Sequence, residues 1–345
     1  MAKWWDSNYQ YRKHLRVSNK EFFSLTSSYA VETVIDTKAI VDDSKMLSSG
    51  DDLRVVYWNS PNNTELDRHI LNMNTTSSTV VFKTVDRIGG SWTDDRYYMY
   101  YGYSSAANPP ADNTKIYESW DDFDTTTGSW YKVGAGGSFR IANSYLEYTG
   151  SAALTMIRKD TGIAGTGKRK QMWVKIHPVK PTWWANRVMN WGIEIEPNGD
   201  YYCMNECCTG VYPNKNYIGA GGDARQAGVC RTKINNGSGS GTLGTNYTAV
   251  ADFRIYKFKW GTLWNEVQEE NIVQQTANYN VGMSLTDKMY MTFYSYGHTG
   301  SMLIDWVSWS PYTNNEPVVT AGNEEVVGYT HYNVSKVTGV TKARI

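Results

Sequence analysis

Residues 96–103, RYYMYYGY, restrict the possible folds more than any other stretch of the chain. Extended backbone sends successive side chains to opposite faces. Tyr97, Met99, Tyr101 and Tyr103 therefore share one face, and Tyr98 and Tyr100 the other, with Gly102 marking a bend or close approach. A strand with rings on both faces needs cover on both sides, so the run predicts a central strand of a layered β-fold. An exposed aromatic strip is the weaker alternative, because strand tyrosines usually pack. Residues 104–113, SSAANPPADN, are small, polar and proline-bearing, a linker by composition. Residues 116–124, IYESWDDFD, then open a second aromatic segment around an acidic cluster. The chain is expected to divide between about residues 103 and 116.

Both sides of this divide read as short strands. YRKHLRV sets Tyr11, Leu15 and Val17 on one face, with Lys13 interrupting the pattern, and YAVETVI groups Tyr29, Val31 and Ile35. LRVVYW and TVVFKTV follow, punctuated by SSGDD, NSPNN and a Gly-Gly pair. Asp51 and Asp52 read as turn residues ahead of a strand. No long stretch carries the helical period, although residues 44–47 allow a single turn. Downstream, SFRIAN, SYLEYTG, ALTMIRK, QMWVKI, NWGIEIEP, AVADFRIYKFKW, KMYMTFYSY and MLIDWVSW are strand candidates. Many short strands divided by Gly, Asn and Ser turns argue for antiparallel sandwiches. Residues 209–247 are long Gly-rich connections, the kind of segment that carries contacts with a partner. After Tyr312 the composition shifts to Val-rich pieces without a core of their own, fit to add an edge strand or to reach a neighbouring subunit. The fold reading is all-β: two consecutive antiparallel β-sandwich (jelly-roll-like) domains over residues 1–108 and 114–312, plus a C-terminal extension over 313–345.

Composition removes several function classes. With 345 residues, each half can bury its own core. Lys+Arg and Asp+Glu are both 34, so there is no basic excess of the kind a nucleic-acid partner requires. No apolar run reaches the length of a membrane span, so membrane insertion is not expected. Residues 1–5 lead straight into tryptophan with no apolar run of signal length, which points to a soluble cytosolic product or to a leader absent from this sequence. The 26 Tyr and 14 Trp against 8 Phe suit β-proteins with polar outer faces and recognition surfaces.

Three pieces of the first half, WWDSNYQYRKHLRV, SSGDDLRVVYW and YYMYYGYSSA, occur in order over residues 4–103. In them the segment resembles the family called domain of unknown function 2341, which has no established activity. In IYESWDDFD, DFRIYKFKW and LIDWVSW the second half resembles a concanavalin-like (laminin-G-like) sandwich. That second resemblance implies a structural Ca²⁺ between the first strand and an Asp on the last strand. Asp305 matches the last-strand position, with Glu118, Asp122 and Asp124 as further oxygen donors. The plainer alternative is a solvated acidic turn beside a strand Asp.

Other candidate sites are sparse. Glu194 and Glu196 alternate on a strand, as two glycosidase carboxylates can. Family-sixteen-like glycoside hydrolases carry Glu-x-Asp-x-x-Glu there. This chain has Glu196 where the Asp belongs and Gly199 where the last Glu belongs, so the motif is broken. Trp183, Trp184 and Trp191, with Arg187, form a candidate glycan platform, because exposed indoles stack on sugar rings and Arg binds hydroxyls. Adjacent Trp183 and Trp184 do not readily share one strand face. Cys203, Cys207, Cys208 and Cys230 cluster without a CxxC knuckle, which favours disulfides over zinc. The five histidines are scattered.

The sequence therefore reads as a non-enzymatic virion surface protein, such as a decoration, fibre or tail component. Its expected partners are other virion or surface proteins, a host-surface glycan and further copies of itself. A secreted prokaryotic carbohydrate-binding or adhesion module, at the cell surface or outside the cell, is the first alternative. A glycoside hydrolase is the second.

Overall fold

The computed structural model describes residues 4–124, 129–150, 155–164, 170–178, 188–196, 216–222, 229–236, 241–243, 247–248, 253–260, 265–277, 288–296 and 301–328. The chain is all-β and forms two compact units, Met1–Asp112 with Pro317–Ile345, and Asn113–Glu316. In chain order the first unit begins with β1 (Tyr11–Ser18), β2 (Ala30–Ile35), α1 (Thr37–Asp42), β3 (Arg54–Tyr57), β4 (Thr64–Leu66), β5 (Arg68–Leu71), β6 (Ser78–Lys83) and β7 (Thr93–Tyr101). The second unit contains α2 (Asn113–Ile116), β8 (Ser119–Asp121), β9 (Trp130–Gly134), β10 (Ser138–Ala142), β11 (Tyr145–Thr149), β12 (Thr155–Ala164), β13 (Lys170–Pro178) and β14 (Val188–Glu196). It continues with β15 (Asn216–Gly222), β16 (Val229–Asn236), β17 (Gly241–Leu243), β18 (Tyr247–Thr248), β19 (Arg254–Trp260), β20 (Asn265–Glu269), β21 (Ile272–Ala277), β22 (Lys288–Tyr296) and β23 (Ser301–Pro311). The last described strand, β24 (Val318–Val326), belongs to the first unit.

In the first unit a sheet ordered β24-β1-β7-β3-β4 stacks against a sheet ordered β2-β6-β5, and every pairing is antiparallel. Leu15, Val17, Val55, Tyr57, Tyr97, Met99 and Tyr101 of the larger sheet meet Val31, Ile35, Val80 and Phe82 of the smaller. The RYYMYYGY run is central, between β1 and β3, as its two-faced pattern demands. Its outer face is covered as well: Tyr100 packs with Val56 and Tyr9, against Trp4, Trp5 and Tyr98. Tyr103 differs from the sequence reading. It joins this outer cluster, 5.4 Å from the Tyr9 ring, and not the Tyr97 face. The reason is Gly102, whose φ of +87° ends the strict alternation. Asp52, 1% exposed, accepts from the Leu47 and Gly102 amides, so the acidic turn is a buried bracket for this bend. The short helix α1 lies outside the sequence reading, and its N-cap is Asp36, which accepts from the Ala39 amide.

The C-terminal segment adds an edge strand, one of the two roles open to residues 313–345 on their sequence. Residues up to Glu316 belong to the second unit, and from Pro317 the chain belongs to the first. β24 pairs with β1, Tyr11 opposite Val326 and Ser18 opposite Val318. The segment has too little apolar surface for a core of its own, and an open sheet edge supplies its hydrogen bonds.

The second unit stacks a sheet ordered β10-β11-β23-β13-β19-β20-β21, with β8 on β23, against one ordered β17-β16-β15-β14-β22-β12-β9, with β18 on β16. Leu146, Val174, Phe258 and Ile304 from the first sheet meet Trp130, Ile157, Met291 and Phe293 from the second. Trp309 in β23 is fully buried, so LIDWVSW is a core strand.

Candidate functional site

At one end of the first unit, two loops lie side by side. One follows β1 and the other precedes β7, and Ser18 faces Thr93 across the pair. Asn19, 2% exposed, ties the loops together. Its side-chain nitrogen donates to the carbonyls of Phe23, Ile88 and Gly89 at 2.9, 3.2 and 2.9 Å. Its side-chain oxygen accepts from the Glu21 amide at 3.0 Å, and its own amide donates to the Trp92 carbonyl at 2.8 Å. The Ser91 amide donates to the Glu21 carbonyl at 2.9 Å, and Leu25 and Ile88 exchange a bonded pair at 2.9 and 3.1 Å. The loops approach so closely at Gly90 that a Cβ there would sit 1.9 Å from the Phe22 carbonyl oxygen. Only glycine fits.

This cross-linked backbone holds three large rings in solvent. Phe22 is 93% exposed, Phe23 57% and Trp92 72%. The Trp92 ring lies over Gly89, with Cγ 3.4 Å from where a Cβ would stand. Burying one such ring is worth about 1.5–3 kcal/mol, so a tip that leaves three outside forgoes a large stabilisation. Large exposed apolar rings grouped on adjoining loops mark candidate contact sites.

The charges around the tip are of both signs, with Asp86 and Asp95 also exposed. Lys20 and Arg87 are exposed, and Arg87 donates to Ser24 Oγ at 2.7 Å. Glu21 is only 5% exposed. Asp86 accepts from the Tyr57 hydroxyl at 2.6 Å and lies 3.0 Å from Arg96. The Tyr57 hydrogen bond, with Arg96 adding to it, holds the Asp86 carboxyl below its ordinary value. Burial and the bond to Asp86 push the Tyr57 hydroxyl upward.

Two other features of this unit lie along β1 and β24. Arg12, 2% exposed, lies 4.5 Å from the Trp4 ring centroid and 4.6 Å from that of Tyr98, while its Nη2 meets Glu325 at 2.7 Å. These contacts satisfy a buried cation and join β1 to β24. A groove of about 620 Å³ runs beside them, lined by His14, Arg16 and residues 320–325. His14 stacks on Tyr98 at 4.8 Å and its Nε2 meets the Asp95 carbonyl. The groove lacks the apolar walls of a small-molecule site.

The sites expected from sequence fare differently. Trp183, Trp184 and Arg187, with Cys203, Cys207 and Cys208, lie outside the described residues. Trp191 and Cys230 are placed in β14 and β15's neighbour β16 as backbone, Trp191 opposite Ala220 and Cys230 opposite Gly222. Glu194 and Glu196 fall two apart in β14. Asp305 forms an ion pair with Lys175 at 2.7 Å. Asp122 accepts from Trp120 Nε1 at 3.1 Å and from the Asp124 amide at 3.4 Å. Glu118 donates its amide to the Trp309 carbonyl, which fastens this segment to β23. Among the described residues no group of three or more His, Cys, Asp or Glu is placed to hold a metal ion.

The sequence reading missed the tip itself. Its signal was there: Phe-Phe in NKEFFSL and Trp in GGSWTDD are large apolar residues in turn segments, where no strand alternation accounts for them. Period-two reasoning attends to strands and passes over such residues.

No family model matches the chain, and no curated protein matches it. Among solved structures, it is similar to the carbohydrate recognition domain of Emp47p, at 11% identity and a TM-score of 0.42, covering 56% of this chain and 94% of that one. It is similar to the laminarinase from Rhodothermus marinus at 10% identity and a TM-score of 0.42, covering 57% of this chain and 97% of that one. A glycoside hydrolase family 16 endo-glucanase from Bacteroides ovatus gives 12% identity and a TM-score of 0.40, covering 56% of this chain and 99% of that one. Likenesses this distant do not say what the present chain binds or whether it catalyses a reaction.

Proposed function

We propose that this chain is a non-enzymatic surface-attachment protein, a virion decoration, fibre or tail component, built on β-sandwich scaffolds. The observation that carries the reading is the tip: Phe22, Phe23 and Trp92 are held in solvent by loops that Asn19 cross-links. A protein that stabilises a loop so thoroughly and leaves its largest rings outside has a surface that gains by contact. Glycan contact through Trp183, Trp184, Arg187 and Trp191 is the role proposed for the second unit, and assembly with further copies is proposed for the whole. Disulfides among the four cysteines fit a surface location. A structural calcium would require Asp305 to leave Lys175, and chelation followed by a melting measurement tests it.

The test compares the full chain with a Phe22→Ser/Phe23→Ser/Trp92→Ser variant for retention on intact cells and on immobilised polysaccharide. Tip-dependent retention is expected. Equal retention of both proteins defeats the tip as the attachment surface. Release of reducing sugar from the polysaccharide by the native chain defeats the non-enzymatic reading.

A further inference from the structure

We infer that β24 is a directional strap: it holds against tension that enters the first unit at the tip and peels under tension that enters ahead of β1. Its use rests on the attachment reading, because a protein held by its tip is pulled from there. Its geometry rests on strand register. β1 and β24 are antiparallel, with Tyr11 opposite Val326 and Ser18 opposite Val318. The tip loops leave β1 and β7 at the Ser18 end, where Ser18 faces Thr93. The chain leaves β24 at the other end, where the Val327 amide donates to the Gln10 carbonyl at 2.8 Å. A pull between the tip and the residues after Val327 therefore draws the two strands lengthwise in opposite senses. Ladder hydrogen bonds lie across the strands, so this pull slides the strands and loads the bonds together. A pull between the residues ahead of Tyr11 and those after Val327 enters both strands at one end and opens the bonds in turn.

Two further observations point the same way. The first is where the side-chain ties stand. Glu325 takes the Nε and Nη2 donors of Arg12, and Glu324 accepts from Lys45 at 2.9 Å and from the Tyr101 hydroxyl at 2.7 Å. The Val318 end adds to the ladder a long bond, from Thr33 Oγ1 to the Val319 carbonyl at 3.5 Å. A strand drawn along its length carries its largest load at the end that is pulled. The ties are gathered at that end, beside Val327. The second observation is where the tip is rooted. Asn19 joins the loops that continue β1 and β7, and β7 lies inside the sheet between β1 and β3. β24 stands at the sheet edge with β1 as its ladder partner. A load from the tip reaches β24 across that ladder or along the backbone that joins β23 to β24.

The experiment is extension of the full chain in an optical trap, with one handle at the C-terminus and the other at position 22 or at position 7. Phe22 and Ser7 are both exposed, so an azide-bearing residue at either place carries a handle without disturbing the core. Rupture under force reports the barrier to separation, which depends on direction, and not the equilibrium stability. The first lengthening step is expected at a force at least about twofold higher from position 22 than from position 7, because bonds that share a load outlast bonds that open in turn. Glu325→Ala is expected to lower the position-22 force toward the position-7 value, and a retained far-UV signal confirms that the variant is folded. Equal forces from the two positions overturn the inference. A position-22 force unchanged in Glu325→Ala also overturns it, because the backbone and not the ladder then carries the load. Unequal forces with tip-independent retention on cells and polysaccharide leave the strap standing and defeat the attachment reading. Equal forces with tip-dependent retention do the reverse.

Discussion

Arg12 and Glu325 are 313 positions apart, yet Nη2 of Arg12 lies 2.7 Å from Oε2 of Glu325 and Nε lies 2.9 Å from the same oxygen. The pair ties the last described strand to the first. Its two sides are unequal: the Arg12 side chain is 3% exposed and that of Glu325 37%. Burial opposes the Arg12 charge, but bonds to Tyr100 and Glu325 hold its pKa above the ordinary value. Glu325→Ala therefore leaves a buried guanidinium with one strong partner fewer. The expected loss is about 2 kcal/mol, below the range for a fully buried pair because solvent reaches the Glu325 side. Hydrogen exchange of β1 and β24 amides in the full chain reads it. Unchanged protection at Leu15 and Val17 counts against the pair as the tie.

Glu324 makes the same junction sensitive to acid. Burial acts to raise its carboxyl, but hydrogen bonds from Lys45 at 2.9 Å and the Tyr101 hydroxyl at 2.7 Å outweigh it and hold the pKa below the usual 4.5. A carboxyl depressed on folding contributes stability that is present above its unfolded pKa and lost as pH falls through the folded one. The first unit should therefore weaken progressively below about pH 4.5. Glu324→Gln should flatten that slope while lowering stability at pH 7. An acid transition of the same steepness in both proteins removes Glu324 from its cause.

Legibility in the sequence followed locality. The two faces of β7, the buried Leu15 and Val17, and the grouping of Tyr29, Val31 and Ile35 were readable, because strand alternation is a property of neighbouring residues. The position of Tyr103 was not, since one glycine at positive φ resets the alternation. The return of β24 to β1 was not either. Its decisive contacts, Arg12 with Glu325 and Lys45 with Glu324, join residues whose charges look like ordinary surface charges in a linear reading. Strand 23 carried Asp305 as a metal candidate, and the Lys175 that pairs with it comes from an adjacent strand far away in the chain.

The tip makes a prediction about Asn19. Truncation to Ala removes the donor to three carbonyls and the acceptor for the Glu21 amide at a site 2% exposed. The Ile88 and Gly89 carbonyls keep the Leu25 and Trp92 amides, while the Phe23 carbonyl and the buried Glu21 amide lose the Asn19 side chain, at about 1–3 kcal/mol for a buried group left unsatisfied. The loops should open while the sandwich core, which Asn19 does not enter, persists. Limited proteolysis with a protease that cleaves after aromatic residues should nick the variant behind Phe22 or Phe23 well before the native chain. Cleavage at equal rates would show that the exposed rings, and not the Asn19 bonds, set the susceptibility.

In the second unit, Lys259 is 6% exposed and its Nζ lies 2.9 Å from Glu266 Oε1 and 2.5 Å from Glu316 Oε2. Burial alone would push its pKa down, but Glu316 and Glu266 more than reverse this and raise it above the ordinary 10.5. A lysine raised on folding contributes stability that is complete below its unfolded pKa and lost only as pH rises through the folded one, so at pH 7 the contribution is full. Lys259→Met removes the cation that Glu266 and Glu316 share and leaves Lys257 as the positive charge acting on Glu316. The expected loss at pH 7 is about 3 kcal/mol, the lower end of the range for removing one partner of a buried pair. The variant's pH dependence should also change. Burial acts to raise the Glu316 carboxyl and Lys257 and Lys259 hold it down; with Lys257 alone it is held down less, so the stability deficit of Lys259→Met should shrink as pH falls from 7 toward 4. Urea denaturation across that window decides it: a variant that tracks the native pH profile at a constant offset lost only packing, and the charge argument fails.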